Sequence, residues 1–248
     1  MVKKNALFSA VALIALWLVW VIAYYIVRND YVLPSFWETL RETGRLLGEA
    51  SFWRAFGNTF LRTLWAFLVS LALGVGLAIP AHLVGGVRAF FAPIISALRT
   101  VPTMAVVLML LLWTTPAVAP VIVSALVLFP AAYAAALAAL DEVGEEYGEL
   151  TRAFRVSAGR KIVKMYLPLA APPLLKQAGS IFSLGLKVVI SGEVMASTYR
   201  SLGGMMQEAQ TFLSMPRLMA LTLITVLLGF ALEGLCRLVY RLIVRWRR

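Results

Sequence analysis

Few side chains in this chain are suited to covalent chemistry, and their spacing argues against it. There is a single histidine, His82, and a single cysteine, Cys236. Neither has a second His or Cys near it at metal-ligand spacing, and no HExxH, CxxC or GxSxG occurs. Ala158-Gly159-Arg160-Lys161 lacks both the spacing and the hydroxyl residue of a phosphate-binding loop. One histidine leaves little room for a Ser-His triad. The expectation is therefore no catalytic residues, no metal site and no resident cofactor, and a lone cysteine rules out an internal disulfide. Uphill work by this chain would have to draw on a partner or on an ion gradient.

What remains is the chemistry of charge in an apolar setting. Arg99, Lys187, Glu193 and Glu233 all fall inside apolar runs. Such groups are costly in hydrocarbon and usually face a protein interior or a water-filled cavity. Glu233 precedes Arg237 by four residues, the favourable order for a helical ion pair. Arg99 lies near the inner third of its run, just before Pro102. It either snorkels to the interface or belongs to a gate. Lys187 is too deep to snorkel. Lys187 and Glu193 are about 600° of helical rotation apart, so they share no face unless Ser191-Gly192 breaks the helix. Each then needs a partner elsewhere. Two readings stand for this pair: lining or gating a pathway, or making a buried structural contact. His82 reads as a polar residue at an interface, and Cys236 as a small apolar filler.

Membrane helices must position these groups. The chain is 61% hydrophobic and 14% charged, with a mean hydropathy of +0.86, whereas soluble domains carry about 25% charged residues. Apolar runs of roughly the 20 residues that cross a bilayer lie at 6–27, 59–83, 90–113, 116–140, 175–198 and 218–239. The expected fold is all-α: a polytopic protein with six transmembrane helices in a single domain, 1–248, whose core covers about 59–240. The first run follows Lys3 and Lys4 but is too long for a secretory signal and lacks a small-residue cleavage site, so it reads as retained. With the N-terminus inside, most loop Lys and Arg fall on the cytoplasmic side. That bias follows the positive-inside rule, puts both termini in the cytoplasm and accounts for the net charge of +11 without nucleic acid. Trp17, Trp20, Tyr24 and Tyr25 fit an interfacial belt, and the spacing of aromatics in 34–57 predicts a short helix at the outer interface.

The segment Asp141–Pro173 is the most informative. It is acidic first (Asp141, Glu142, Glu145, Glu146, Glu149) and basic afterwards (Arg152, Arg155, Arg160, Lys161, Lys164). Glu149–Phe154 predicts a short helix with Leu150, Ala153 and Phe154 on an apolar side. Ser157 is a candidate N-cap for a second helix, 158–166, which Pro168 should stop. Leu167-Pro168 and Pro172-Pro173 are expected to interrupt the chain before the next span. A soluble partner could take hold of such a loop.

This loop resembles the cytoplasmic EAA loop of binding-protein-dependent ABC importer permeases. Aligned on Leu167-Pro168, Glu149 takes the Glu position. Leu150 and Thr151 stand where alanines are usual, and Arg155 stands where a glycine is usual. Phe154-Arg155-Val156-Ser157 is similar to the nitrate/sulfonate/taurine-type subgroup. So are Leu33-Pro34-Ser35, Leu98-Arg99-Thr100-Val101-Pro102 and Gly192-Glu193-Val194 followed by Ser201-Leu202-Gly203-Gly204. The resemblance covers about residues 33–240.

It implies a multi-pass inner-membrane subunit, not itself an enzyme, that forms half of a translocation pathway. A second permease copy, an ABC ATPase dimer that binds the ATP and Mg, an extracytoplasmic substrate-binding protein and membrane lipid would be its partners. Glu149, Arg152, Ala153, Phe154, Arg155, Ser157, Ala158 and Gly159 would couple to the ATPase, in a loop between spans four and five. Arg99, Pro102, Lys187 and Glu193 would line or gate the pathway. A small anion (sulfonate, nitrate or taurine-like) or a vitamin precursor is the expected substrate. The alternative from another class is a gradient-driven transporter or channel using Lys187 and Glu193.

Overall fold

The structure is a computed structural model that describes residues 2–154 and 157–243. Among the described residues all regular structure is helical. α1 (Val2–Val27) is followed by α2 (Phe36–Gly48), α3 (Ala50–Leu83), α4 (Gly85–Thr100) and α5 (Thr103–Leu111). Then come α6 (Ala119–Ala153), α7 (Ala158–Lys161), a π-turn (Ile162–Tyr166), α8 (Leu167–Met195), α9 (Leu202–Thr211) and α10 (Met215–Ile243). Among the described residues α3, α6, 159–195 and α10 are each long and apolar enough to cross a membrane, and α4 with α5 forms a bent fifth candidate. Ile14–Val27 is a shorter apolar stretch within α1.

α3, α6 and α8 pack on one another at the centre, with α10 against α8 and α2. Small residues let them approach. α3 buries Ala55, Thr59, Thr63, Ala66, Ser70, Gly74 and Ala78, a stripe at helical spacing. A Cβ on Gly74 would lie 2.7 Å from the Tyr133 amide nitrogen of α6, and one on Gly192 of α8 would lie 3.0 Å from Pro120. In lipid, where burial of apolar surface drives little association, such contact and its dispersion energy hold helices together. α1 meets the rest through Trp17 and Trp20, whose rings pack edge-on to Phe36, and Trp20 donates from Nε1 to the Pro34 carbonyl.

Several expected boundaries move, each for a local reason. The segment 34–57 is not one helix. A capping box between Ser35 and Glu38 starts α2, and extended backbone at Glu49 ends it (φ −85°, ψ 125°). Residues 50–57 are the first turns of α3, which therefore begins well before residue 59. The third run is broken into α4 and α5, bent by 86°. Pro102 has no amide hydrogen and drives Val101 into extended backbone (ψ 126°).

The fourth run continues to Ala153, beyond the expected 140. Its 35 residues span roughly 52 Å, against a hydrocarbon core of about 30 Å. The acidic stretch 141–149 is thus the protruding end of α6, and no separate helix starts at Glu149. Pro168 does not stop the following helix either. The Leu167 amide donates to the Ile162 carbonyl across the π-turn, Pro168 falls in the first turn of α8, and helical backbone runs on through Pro172, Pro173, Ser191 and Gly192. Pro168 is tolerated because its fixed φ suits a first helical turn, whereas Pro172 and Pro173 lie inside α8.

Candidate functional site

Three polar regions lie along the helix axes. The first is the end of the bundle where α6 protrudes. Glu149 and Ala153 are exposed and Phe154 is 75% exposed, with Leu150 and Val163 also open. The Ser157 carbonyl accepts from the Lys161 amide, so the helix begins there as expected. A Cβ on Gly159 would touch nothing within 4 Å. Arg155 lies outside the described residues, and for Arg152 and Ala158 only the backbone is described. Glu149 borders a polar cavity of about 620 Å³, together with His82, Asp141, Lys161 and Tyr166.

His82 is more than an interfacial polar residue. Its Nδ1 lies 2.7 Å from Asp141 Oδ1, while Arg88 donates to Asp141 Oδ2 at 2.9 Å. Its ring packs edge-on to Tyr166, and the Lys161 ammonium sits 4.6 Å above that ring. Asp141 thereby joins α3, α4 and α6 beside the 157–166 segment.

The second region is the α5–α8 face. Lys187 is exposed on a small groove of about 120 Å³, with Thr103, Met104, Val107, Ser191 and Met195. Among the described residues it has no acidic partner. Pro102, at the α4–α5 bend, is exposed and adjoins this groove through Thr103. Arg99 is exposed and its Nη2 donates to the Pro130 carbonyl at 3.4 Å, tying α4 to α6.

Glu193, expected beside Lys187, is not on that groove. It is wholly buried on the far side of α8. The Arg62 guanidinium donates to its Oε1 at 2.9 Å, the Thr59 hydroxyl to its carboxylate at 2.9 Å, and the Gly203 amide to Oε2 at 3.2 Å. Thr59 Oγ1 in turn accepts from the Leu202 amide. The unbroken α8 helix explains why Lys187 and Glu193 diverge. Arg62 and Thr59 escaped the sequence reading because Arg62 sits at the end of an expected span. Thr59-Arg62-Thr63, a polar stripe on an apolar helix, was the available signal.

The third region is the rim at the opposite end of the bundle. Arg54, Arg200 and Arg217 border a cavity of about 570 Å³ with residues 197–201. Arg217 is saturated: it donates to Glu42 at 3.3 Å and to Glu49 at 3.0 Å. That hydrogen bond is the main reason the Glu49 carboxyl is held below the usual carboxylate range. At the other end of α10 the expected Arg237–Glu233 pair is present at 3.2 Å.

Comparison with known proteins agrees with this architecture. The profile described as "Binding-protein-dependent transport system inner membrane component" matches residues 70–246. The taurine transport system permease protein TauC of Escherichia coli is 23% identical over 240 residues, covering 94% of this chain and 86% of that protein. The putative aliphatic sulfonates transport permease protein SsuC of Bacillus subtilis is 27% identical over 189 residues, covering 75% and 67%. Among solved structures, an inward-facing form of the MetNI methionine ABC transporter superposes with a TM-score of 0.60 at 18% identity, over 89% of this chain and 97% of that one. An amino acid ABC transporter with histidines gives 0.63 at 16% identity, over 84% and 98%. The helical architecture, the multi-pass apolar helices and the profile match converge: the chain belongs to the family of binding-protein-dependent transport system inner membrane components and is the permease subunit of an ABC importer.

Proposed function

We propose that this chain, as one domain over 1–248, crosses the inner membrane six times with both termini in the cytoplasm. In this reading two copies, embedded in lipid, enclose the pathway, and an ABC ATPase dimer binds the ATP and Mg. An extracytoplasmic binding protein delivers the substrate, and no nucleic acid is involved. The observation that carries the coupling half is the protruding end of α6, which leaves Leu150 and Phe154 open beside charged Glu149. Exposed apolar side chains at the tip of a long rigid helix are suited to seat in a partner's groove. Glu149, Arg152, Ala153, Phe154, Arg155, Ser157, Ala158 and Gly159 would form that contact. Closure of the ATPase would then swing α6 and α8.

Lys187, with Arg99 and Pro102 at the bent α4–α5 pair, would mark the pathway. An ammonium group without a counter-charge at a groove favours a small anion. Sulfonates head the candidates because the relatives TauC and SsuC carry taurine and aliphatic sulfonates in their names. The gradient-driven alternative needs Lys187 and Glu193 to exchange ions, yet Glu193 is held by Arg62 and Thr59.

Purification from native membranes should recover an ATP-binding subunit that is lost in Glu149→Ala plus Arg155→Glu. Its absence from both samples, in detergent that keeps known complexes intact, would sink the coupling reading. Lys187→Met should abolish uptake of the transported sulfonate while the ATPase still co-purifies. Unchanged uptake removes Lys187 from the pathway.

A further inference from the structure

The buried carboxylate of Glu193 faces away from the pathway groove, and its partners show what it holds. Behind it lies the rim 196–204, which borders the outer cavity. This rim is irregular: Ser197 and Arg200 both adopt positive φ (48° and 51°), a conformation costly for residues with a side chain. Such backbone persists only where its surroundings over-determine it. Here they do. Glu193 and Thr59 receive the Gly203 and Leu202 amides, the Thr198 amide donates to the Glu193 carbonyl, and Asn58 Nδ2 donates to the Arg200 carbonyl at 2.9 Å. Gly203 and Gly204 complete the fit: a Cβ on Gly203 would collide with Glu193, and one on Gly204 with the Thr198 carbonyl. The rim therefore cannot accept bulk at these positions without shifting.

The clamp orients charge. Of the arginines around the cavity, Arg217 is neutralised by Glu42 and Glu49, whereas Arg54 and Arg200 have no acidic partner among the described residues. Arg200 is stacked over the exposed Tyr199 ring at 5.1 Å. Glu208 is the one carboxylate among the residues bordering the cavity. The surface so formed is cationic, aromatic and fixed in shape.

We propose that Glu193 is a positioning residue. Its clamp with Arg62 and Thr59 pre-sets the 196–204 rim so that Arg54 and Arg200 receive acidic side chains of the external substrate-binding protein. This rests on the importer assembly set out above. A pre-ordered rim spares the partner the cost of ordering it, so loosening the clamp weakens docking by the fraction of time the rim is out of place.

The test is a titration of the purified permease–ATPase complex in lipid nanodiscs with the substrate-loaded binding protein from the same host, read as ATP hydrolysis. Glu193→Gln should raise the half-saturating concentration about tenfold, the effect of a rim competent about a tenth of the time, with the maximal rate retained. Asn58→Ala, a partly exposed change that leaves the carboxylate intact, should raise it by about threefold if the rim is competent roughly a third of the time. Arg200→Gln should raise it and flatten its salt dependence. A purely structural Glu193 would lower the yield or melting point of the complex and leave the half-saturating concentration of the surviving complex unchanged. That result, or unaltered titrations for Asn58→Ala and Arg200→Gln, overturns the proposal while the importer assembly stands. A wild-type complex that ignores the binding protein overturns the assembly and the proposal with it.

Discussion

The Glu193 clamp and the Asp141 cluster, at opposite ends of the bundle, use the same chemistry in different surroundings. Glu193 is wholly buried and the Arg62 side chain is 16% exposed, whereas Asp141 and Arg88 are 28% and 55% exposed. Inside the bundle the desolvation cost of a charge pair is several kcal/mol per ion, and it is offset only when the remaining hydrogen-bonding capacity is used. Glu193 uses it, through Thr59 and the Gly203 amide. Around Asp141 water shares the load, and an exposed pair contributes about 0–1 kcal/mol. A charge pair is therefore a lock around Glu193 and a loose joint around Asp141.

The largest effect tests the lock. Glu193→Ala leaves Arg62 and two polar partners unpaired inside the bundle and should cost about 3–5 kcal/mol. Thermal melting of the solubilised protein would register it, and a loss under about 1 kcal/mol would erase the distinction between the two ends. Gly203→Ala comes next. Its methyl group must displace Glu193 or the Ile190 carbonyl, at about 1–3 kcal/mol, while Gly159→Ala at the open inner end should be neutral by the same melt.

Asp141→Asn should cost about 1 kcal/mol or less, and the difference from wild type should shrink in high salt. A salt-independent loss above about 3 kcal/mol would make the inner cluster a lock as well. The smallest effect is on pH. Because the Glu49 carboxyl is held below its ordinary value, the folded state favours its charged form. The stabilisation is present above the ordinary carboxyl pKa of about 4.3 and is lost as pH falls through the lower folded value. The melting advantage of wild type over Glu49→Gln should therefore be flat from neutral pH to about 5 and vanish at lower pH. An advantage that persists at pH 2 would contradict the Arg217 pairing.

Much of this was legible in the chain itself. Apolar runs of bilayer length announce membrane helices because hydrocarbon offers no water to an exposed backbone. Glu233–Arg237 was readable because an i,i+4 pair is local geometry. Pro102 lay unread inside the run 90–113, which breaks there, and the charged stretch after residue 140 hid the continuity of α6, because polarity marks the end of the lipid and not the end of a helix.

The amino-acid sequence by itself determined the all-helical membrane class, the family resemblance and the candidate charges, all of which rest on composition and on spacing within a few turns. The tertiary structure alone decided which charges far apart in sequence meet. Arg62 and Glu193 lie 131 positions apart, and His82 and Asp141 lie 59 apart. Their meeting depends on how closely small residues let α3, α6 and α8 approach, a distance that no single helix encodes. That packing set Glu193 against Arg62 and Thr59 and left Lys187 on the α5–α8 groove, away from it.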